Sequence, residues 1–283
     1  MAQSSNAETE AGYILPEPNN EVKRLTAQDE VISYSMNNKR ILAPIDLSKP
    51  GLKILDSGTA DGLFLRSMAP LLTEPYSLDG FDIMPAFFPP SLPPHMTLAL
   101  HNLAEEWPAE LHGQYDLVHQ RLALLGVARS VLIQDTVGFL ASLVRPGGFI
   151  QLGELDVSEP ISAGQAMLDA WMVVRAVFRA VCGSDDFAQH LGDWLKKEGF
   201  EDVRQERHEI RLGPHCNDPV MGRKGVEVTV EAWQALLGAA QYFKADLPEL
   251  VTDRLIERLR DELTNDGATY AMIYAYGRKP QDI

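Results

Sequence analysis

The 283-residue chain is 45 % hydrophobic and 23 % charged, a composition that can bury a sizeable core and excludes disorder along its whole length. It carries 25 Lys and Arg against 40 Asp and Glu, a formal charge of -15 that repels phosphate backbones and anionic lipid surfaces, so neither nucleic acid nor membrane is expected as a partner. Cys182 and Cys216 cannot build a disulfide framework, no run of about 18 apolar residues exists to span a membrane, and the opening residues lack the basic and apolar regions of a signal peptide, so a cytoplasmic protein is expected.

In chain order, residues 20–40 place Val22, Leu25, Val31 and Ile32 at the spacing of one or two helices packed by one face. From Ile54 the pattern changes. Residues 54–56 read as a strand that ends in a Gly-containing turn, residues 63–72 as a helix, and residues 76–83 as a second strand. Prolines crowd residues 85–94 and exclude regular structure there. A third strand is predicted over 115–122, then a helix over 131–144 that Arg145-Pro146-Gly147-Gly148 breaks, then a fourth strand over 149–155. Such alternation is what a parallel sheet requires, because parallel neighbours need a crossover. Helices are expected over 163–182, 186–198, 229–242 and 248–263, a weakly alternating strand over 203–212, and a last strand over 268–279. The reading is one domain with helical additions.

The most informative stretch is Asp56-Ser57-Gly58-Thr59-Ala60-Asp61-Gly62. Gly58 and Gly62 let backbone approach a ligand where the first strand turns into its helix. The dinucleotide pattern G-x-G-x-x-G fails, since Ala60 and Leu63 stand at its second and third glycines. The pattern hhD-x-G-x-G-x-G, typical of S-adenosylmethionine (SAM) sites, fits at Asp56, Gly58 and Gly62 and departs at Ala60. Asp82 ends the second strand, about 20 residues beyond the loop, where a carboxylate can accept from both ribose hydroxyls. His101-Asn102-Leu103 precedes the third strand, with a polar group for an adenine edge and Leu103 to cover the ring. The three stretches make a nucleoside pocket at the carboxyl ends of neighbouring strands.

On these residues the chain resembles a class I SAM-dependent methyltransferase, and more narrowly the fungal LaeA-like methyltransferases of secondary metabolism. Tyr13-Ile14-Leu15-Pro16, Glu21, Arg24-Leu25 and Gln28 match the family's Y-x-L-P…E-x-x-R-L-x-x-Q stretch. Ala43-Pro44-Ile45-Asp46, Pro93-Pro94-His95 and Ala104-Glu105-Glu106-Trp107-Pro108 match further segments. Tyr115–Arg121 is similar to its F-D-h-h-H-x-R strand, and Arg145–Phe149 to its K-P-G-G turn. Departures are Ala60 for a glycine, Asn102 for an Asp, and Asp29 for a His.

The resemblance implies an α/β fold: a Rossmann-like, seven-stranded class I methyltransferase sheet with helices on both faces and an added helical lid. It implies a lid over residues 1–40, with Tyr13 to Gln28 folding over the cofactor (the other reading is a helix packed on the outside of the sheet), and a methyltransferase domain over 41–283 with helical insertions at about 160–198 and 218–263. The expected cofactor is SAM, and the residues assigned to it are Gly58, Gly62, Asp82, Ile83, Asn102, Leu103 and Gln120. The implied activity is methyl transfer to an O or N atom of a small-molecule natural product. The alternatives are a LaeA-like regulator acting through partner proteins and a SAM-binding cyclase that transfers no methyl. His119 is the first candidate base, having a side chain that titrates near neutrality on the third strand; the other reading of His119 is a histidine that only hydrogen-bonds backbone or the N-terminal segment. Glu154 and Asp156 are read either as groups that position an acceptor or as solvated strand-end carboxylates. The remaining histidines show no metal-ligand spacing, so no metal is expected.

Overall fold

The computed structural model describes residues 18–158 and 160–281. Seven strands form one sheet: β1 (Lys53–Ser57), β2 (Ser77–Asp82), β3 (Met96–Leu100), β4 (Tyr115–Arg121), β5 (Val144–Leu155), β6 (Glu201–Leu212) and β7 (Ala268–Arg278), in the order β3-β2-β1-β4-β5-β7-β6. The pairs β1 with β2, β1 with β4, β2 with β3 and β4 with β5 are parallel; β5 and β7 are antiparallel. This is the seven-stranded Rossmann-like sheet that the resemblance implies. Ile54, Leu55, Leu117 and Val118 are wholly buried, as central parallel strands covered on both faces must be.

Eight α-helices accompany the sheet among the described residues: α1 (Pro18–Ser35), α2 (Leu63–Met68), α3 (Ile133–Leu143), α4 (Gln165–Cys182), α5 (Leu191–Lys197), α6 (Pro219–Tyr242), α7 (Glu249–Thr252) and α8 (Leu255–Asn265). None is long and apolar enough to cross a membrane.

Two departures from the sequence reading are informative. Strand β3 was not expected. It follows the proline-rich stretch, lies at the sheet edge, and shows no alternation because Thr97, Ala99 and Leu100 are all exposed. Helix α6 begins ten residues before the expected start, at a boundary the sequence does signal. Asp218 caps it, accepting from the N–H groups of Val220 and Met221, with Pro219 in the first turn.

The chain divides into two compact units, each assembled from several segments. One holds residues up to Ser35, Pro160–Ala180 and Ile210–Tyr270. Within it Lys224 pairs with Glu30, joining α6 to α1, and the indoles of Trp171 and Trp233 stack at 5.7 Å. Asp169 in α4 is paired with Arg258 in α8 at 2.7 Å. Of the expected lid, residues 13–17 lie outside the described residues and residues 18–28 form the first part of α1. The other unit holds Met36–Glu159, Val181–Glu209 and Ala271–Ile283. It contains β1 to β5 and the whole of the glycine-containing loop.

Candidate cofactor site

The site is built where β1 stops. Gly58, Ala60 and Gly62 have φ of 71°, 50° and 80°, so every second residue of the loop is left-handed. This is why the pattern asks for glycine at each of those places: a side chain there crowds its own backbone. Gly58 and Gly62 are also sterically committed. A Cβ on Gly58 would lie 2.7 Å from Ala123 Cβ, and one on Gly62 would collide with the Met96 side chain. Ala60 adopts the left-handed geometry without being glycine and carries that strain. The loop is tied to β2 by the N–H groups of Gly58 and Thr59, which donate to Phe81 O at 2.8 and 3.0 Å.

Asp82 closes the loop from β2. Its Oδ2 accepts from Ala60 N at 2.8 Å and its Oδ1 from Met84 N at 2.9 Å. Burial raises its pKa above the ordinary carboxylate value, opposed by hydrogen bonds from the Met84, Ala60 and Ile83 N–H groups. An ionised carboxylate offers about four acceptor positions, so beside these three N–H groups one remains for a ribose hydroxyl. Ile83, beside it, is exposed.

Beyond β3, Asn102 is half-buried. Its Oδ1 accepts from Ala104 N at 3.0 Å and its Nδ2 donates to Glu105 Oε1 at 3.2 Å. One lone pair of the amide oxygen is therefore already used, and the second is what an adenine amino group could meet. Leu103 Cδ1 stands 4.0 Å from where a Cβ on Gly58 would be, which places it against the loop. The sequence motifs contain His101 and Trp107 but do not show their contact: the His101 ring stacks on Trp107 at 3.8 Å, and His101 Nε2 and Trp107 Nε1 are both buried without a hydrogen-bond partner.

The two residues predicted on β4 point to opposite faces of the sheet, as adjacent strand residues do. His119 is 3 % exposed, with Nδ1 2.7 Å from Asp56 Oδ1 and its ring stacked 3.7 Å from that of Phe64 in α2. Its partner is thus a side chain of the glycine-loop motif itself. Gln120 is fully buried and stands in register with Ser57 of β1. Gln120 Nε2 donates to Glu154 Oε1 at 2.7 Å, while Gln120 Oε1 and Ser57 Oγ are buried with no partner.

The two carboxylates at the end of β5 are engaged internally. Glu154 Oε1 also accepts from Ala123 N at 3.1 Å and Leu124 N at 3.0 Å, and burial pushes its pKa up to about 7. Asp156 accepts from the Ser158 N–H and hydroxyl, from Gln189 Nε2 at 2.8 Å, and from Arg207 Nε. Neither is the solvated strand-end group that was one of the sequence alternatives.

Taken together, the groups fit SAM. The left-handed loop turns tightly at the end of β1, Asp82 retains an acceptor position, and two buried oxygens on adjacent strands await a donor. All of them lie at or near the carboxyl ends of parallel strands.

No known family profile matches the chain. Curated relatives do, among them the following two. Methyltransferase psoC of Aspergillus fumigatus is 32 % identical over 262 residues, covering 92 % of this chain and 94 % of its own length. N-methyltransferase sirN of Leptosphaeria maculans is 33 % identical over 280 residues, covering 96 % of each. Among solved structures, Haemonchus contortus phosphoethanolamine N-methyltransferase 2 in complex with S-adenosyl-L-methionine superposes with a TM-score of 0.51 at 16 % identity, over 94 % of this chain. That likeness concerns the fold, and the chain spans 61 % of that enzyme's length. Methyltransferases of this kind use SAM as cofactor, and the chain belongs to the SAM-dependent methyltransferases of fungal secondary metabolism, with the fold of the class I enzymes.

Proposed function

We propose that the chain transfers the methyl group of SAM to a nitrogen atom of a small-molecule natural product. The observation that carries this reading is the match to N-methyltransferase sirN over 96 % of both chains. SAM supplies an electrophilic methyl group on a sulfonium.

The chain's own residues supply binding and orientation. The Gly58–Gly62 backbone and Leu103 hold the cofactor, Asp82 accepts from its ribose, and Ile83 and Asn102 frame its adenine. Gln120 offers an acceptor from β4. We assign His119 a supporting part, since its Nδ1 is committed to Asp56 and its ring to Phe64. Glu154 and Asp156 are likewise committed to internal donors. Catalysis then rests on alignment: two groups held in line react far faster than the same groups free in solution. A nitrogen nucleophile suits such a site, because a neutral amine attacks through its own lone pair and sheds its proton afterwards.

The test is direct. The protein is incubated with SAM labelled in the methyl group and a panel of small molecules bearing N–H or O–H groups, and products are resolved by mass spectrometry. Label on nitrogen is the expected result. Label found on oxygen alone would overturn the assignment of the acceptor while leaving the methyltransferase reading in place.

A further inference from the structure

The exit of β4 is built around a carboxylate that no step of methyl transfer uses. Leu122 is left-handed, with φ of 55°, and Ala123 after it is right-handed, with φ of -118° and ψ of -16°. Consecutive residues of opposite hand turn their N–H groups to one side and make a concavity that binds anions. Here the chain fills that concavity itself. Glu154, 2 % exposed, places Oε1 3.1 Å from Ala123 N and 3.0 Å from Leu124 N. The same oxygen takes Gln120 Nε2 at 2.7 Å.

Two consequences reach the cofactor loop. Ala123 is held so that its Cβ lies 2.7 Å from where a side chain on Gly58 would begin, so the turn is the wall against which the loop closes. The Gln120 amide is pinned by its nitrogen, which fixes its oxygen in a buried position without a partner. Ser57, in register with Gln120 on β1, also has a buried oxygen without a partner. Two unpartnered polar atoms on paired residues at one end of the sheet mark a place where a ligand's donor completes the network.

We infer that Glu154 is the positioning residue of the cofactor site: by filling the concavity at the β4 exit, it braces Ala123 against Gly58 and presents Gln120 Oε1 as an acceptor for SAM. The inference rests on the assignment of this pocket to SAM. Glu154 itself touches neither cofactor nor acceptor.

The experiment is titration calorimetry of the full chain with S-adenosylhomocysteine, the demethylated cofactor, together with amide hydrogen exchange of the unliganded protein. Glu154→Gln keeps an oxygen that accepts from the same three donors, so its affinity should stay within about threefold of the parent's. Glu154→Ala should bind about tenfold or more weakly, the scale of a hydrogen bond lost, and Gln120→Ala similarly. The Ala123 and Leu124 amides should lose exchange protection in Glu154→Ala and keep it in Glu154→Gln. Should Glu154→Ala not fold, Glu154→Asp serves in its place, keeping the charge but falling one methylene short of the turn; the same tenfold loss is expected. Parental affinity in the Ala or Asp variant, or a Gln variant as weak as the Ala variant, overturns the role of Glu154. A parent chain that binds no S-adenosylhomocysteine overturns the pocket assignment instead.

Discussion

Two strand exits of one sheet are built on the same plan and put to opposite uses. At the exit of β1, a non-glycine residue, Ala60, is left-handed and its N–H meets a carboxylate from the neighbouring strand, Asp82. At the exit of β4, Leu122 is left-handed and the next two N–H groups meet a carboxylate from the neighbouring strand, Glu154. Burial raises the pKa of both carboxylates. The difference lies in what is left over. Asp82 spreads its backbone bonds over both oxygens and remains half-buried, with an acceptor position left for a ligand. Glu154 spends three bonds on one oxygen and is sealed in. In the reading proposed here one turn binds the cofactor and the other is the scaffold that shapes it, and exposure rather than residue type separates them.

The sharpest way to break this comparison is to remove each carboxylate. Glu154→Ala strands three buried donors and should lower the unfolding free energy by about 3–5 kcal/mol, read from denaturant midpoints. A loss under about 1 kcal/mol would mean that the β4 exit stands without it. Asp82→Ala should do the reverse, weakening SAM binding by about 2–3 kcal/mol in calorimetry, the worth of hydrogen bonds to a charged group. Its stability should change less, because its donors can turn to water. Unchanged affinity in a folded Asp82→Ala protein would remove Asp82 from the ribose site.

A pH series sharpens the same contrast. The folded chain holds the Glu154 proton with a pKa raised to about 7, against 4.5 as the ordinary value for the unfolded chain. The folded state therefore binds that proton more tightly than the unfolded state does. The resulting stabilisation is complete below the unfolded value and is lost as pH rises through the folded one. Relative to Glu154→Gln, the parent's unfolding free energy should fall by about 2–3 kcal/mol between about pH 5 and pH 8. A difference that is flat over that range would show Glu154 to be ionised throughout.

The smallest expected effect is at Ala60. Glycine tolerates its left-handed backbone, so Ala60→Gly should gain about 1 kcal/mol and raise the melting temperature by about 2–4 °C. A lower melting temperature would mean that the loop does not hold Ala60 left-handed.

Much of this was legible beforehand where local chemistry leaves few options. The strand and helix alternation from Ile54 to Leu155, the loop pattern at Asp56, Gly58 and Gly62, and the acid at the end of β2 are each short-range signals that a residue's own backbone or neighbours impose. The family also followed from residues quoted in order along the chain, and relatives matched over nearly its whole length agree. What the chain order could not show is which side chains the sheet brings together across it. His119 and Asp56 are 63 positions apart and become partners because β1 and β4 lie in parallel register. In sequence Glu154 reads either as an acceptor-positioning group or as a solvated strand-end acid, until the β4 exit folds its N–H groups onto it from 30 residues away. Edge strand β3 has no alternation to read, since most of its residues face outward. The sequence alone indicated an α/β sheet through strand and helix period, and the seven-stranded fold and SAM through the motifs it shares with a family, because those signals are local. Only the tertiary structure decided which polar groups are spent inside the protein and which stay open for a ligand, because that depends on burial and on partners distant in the chain.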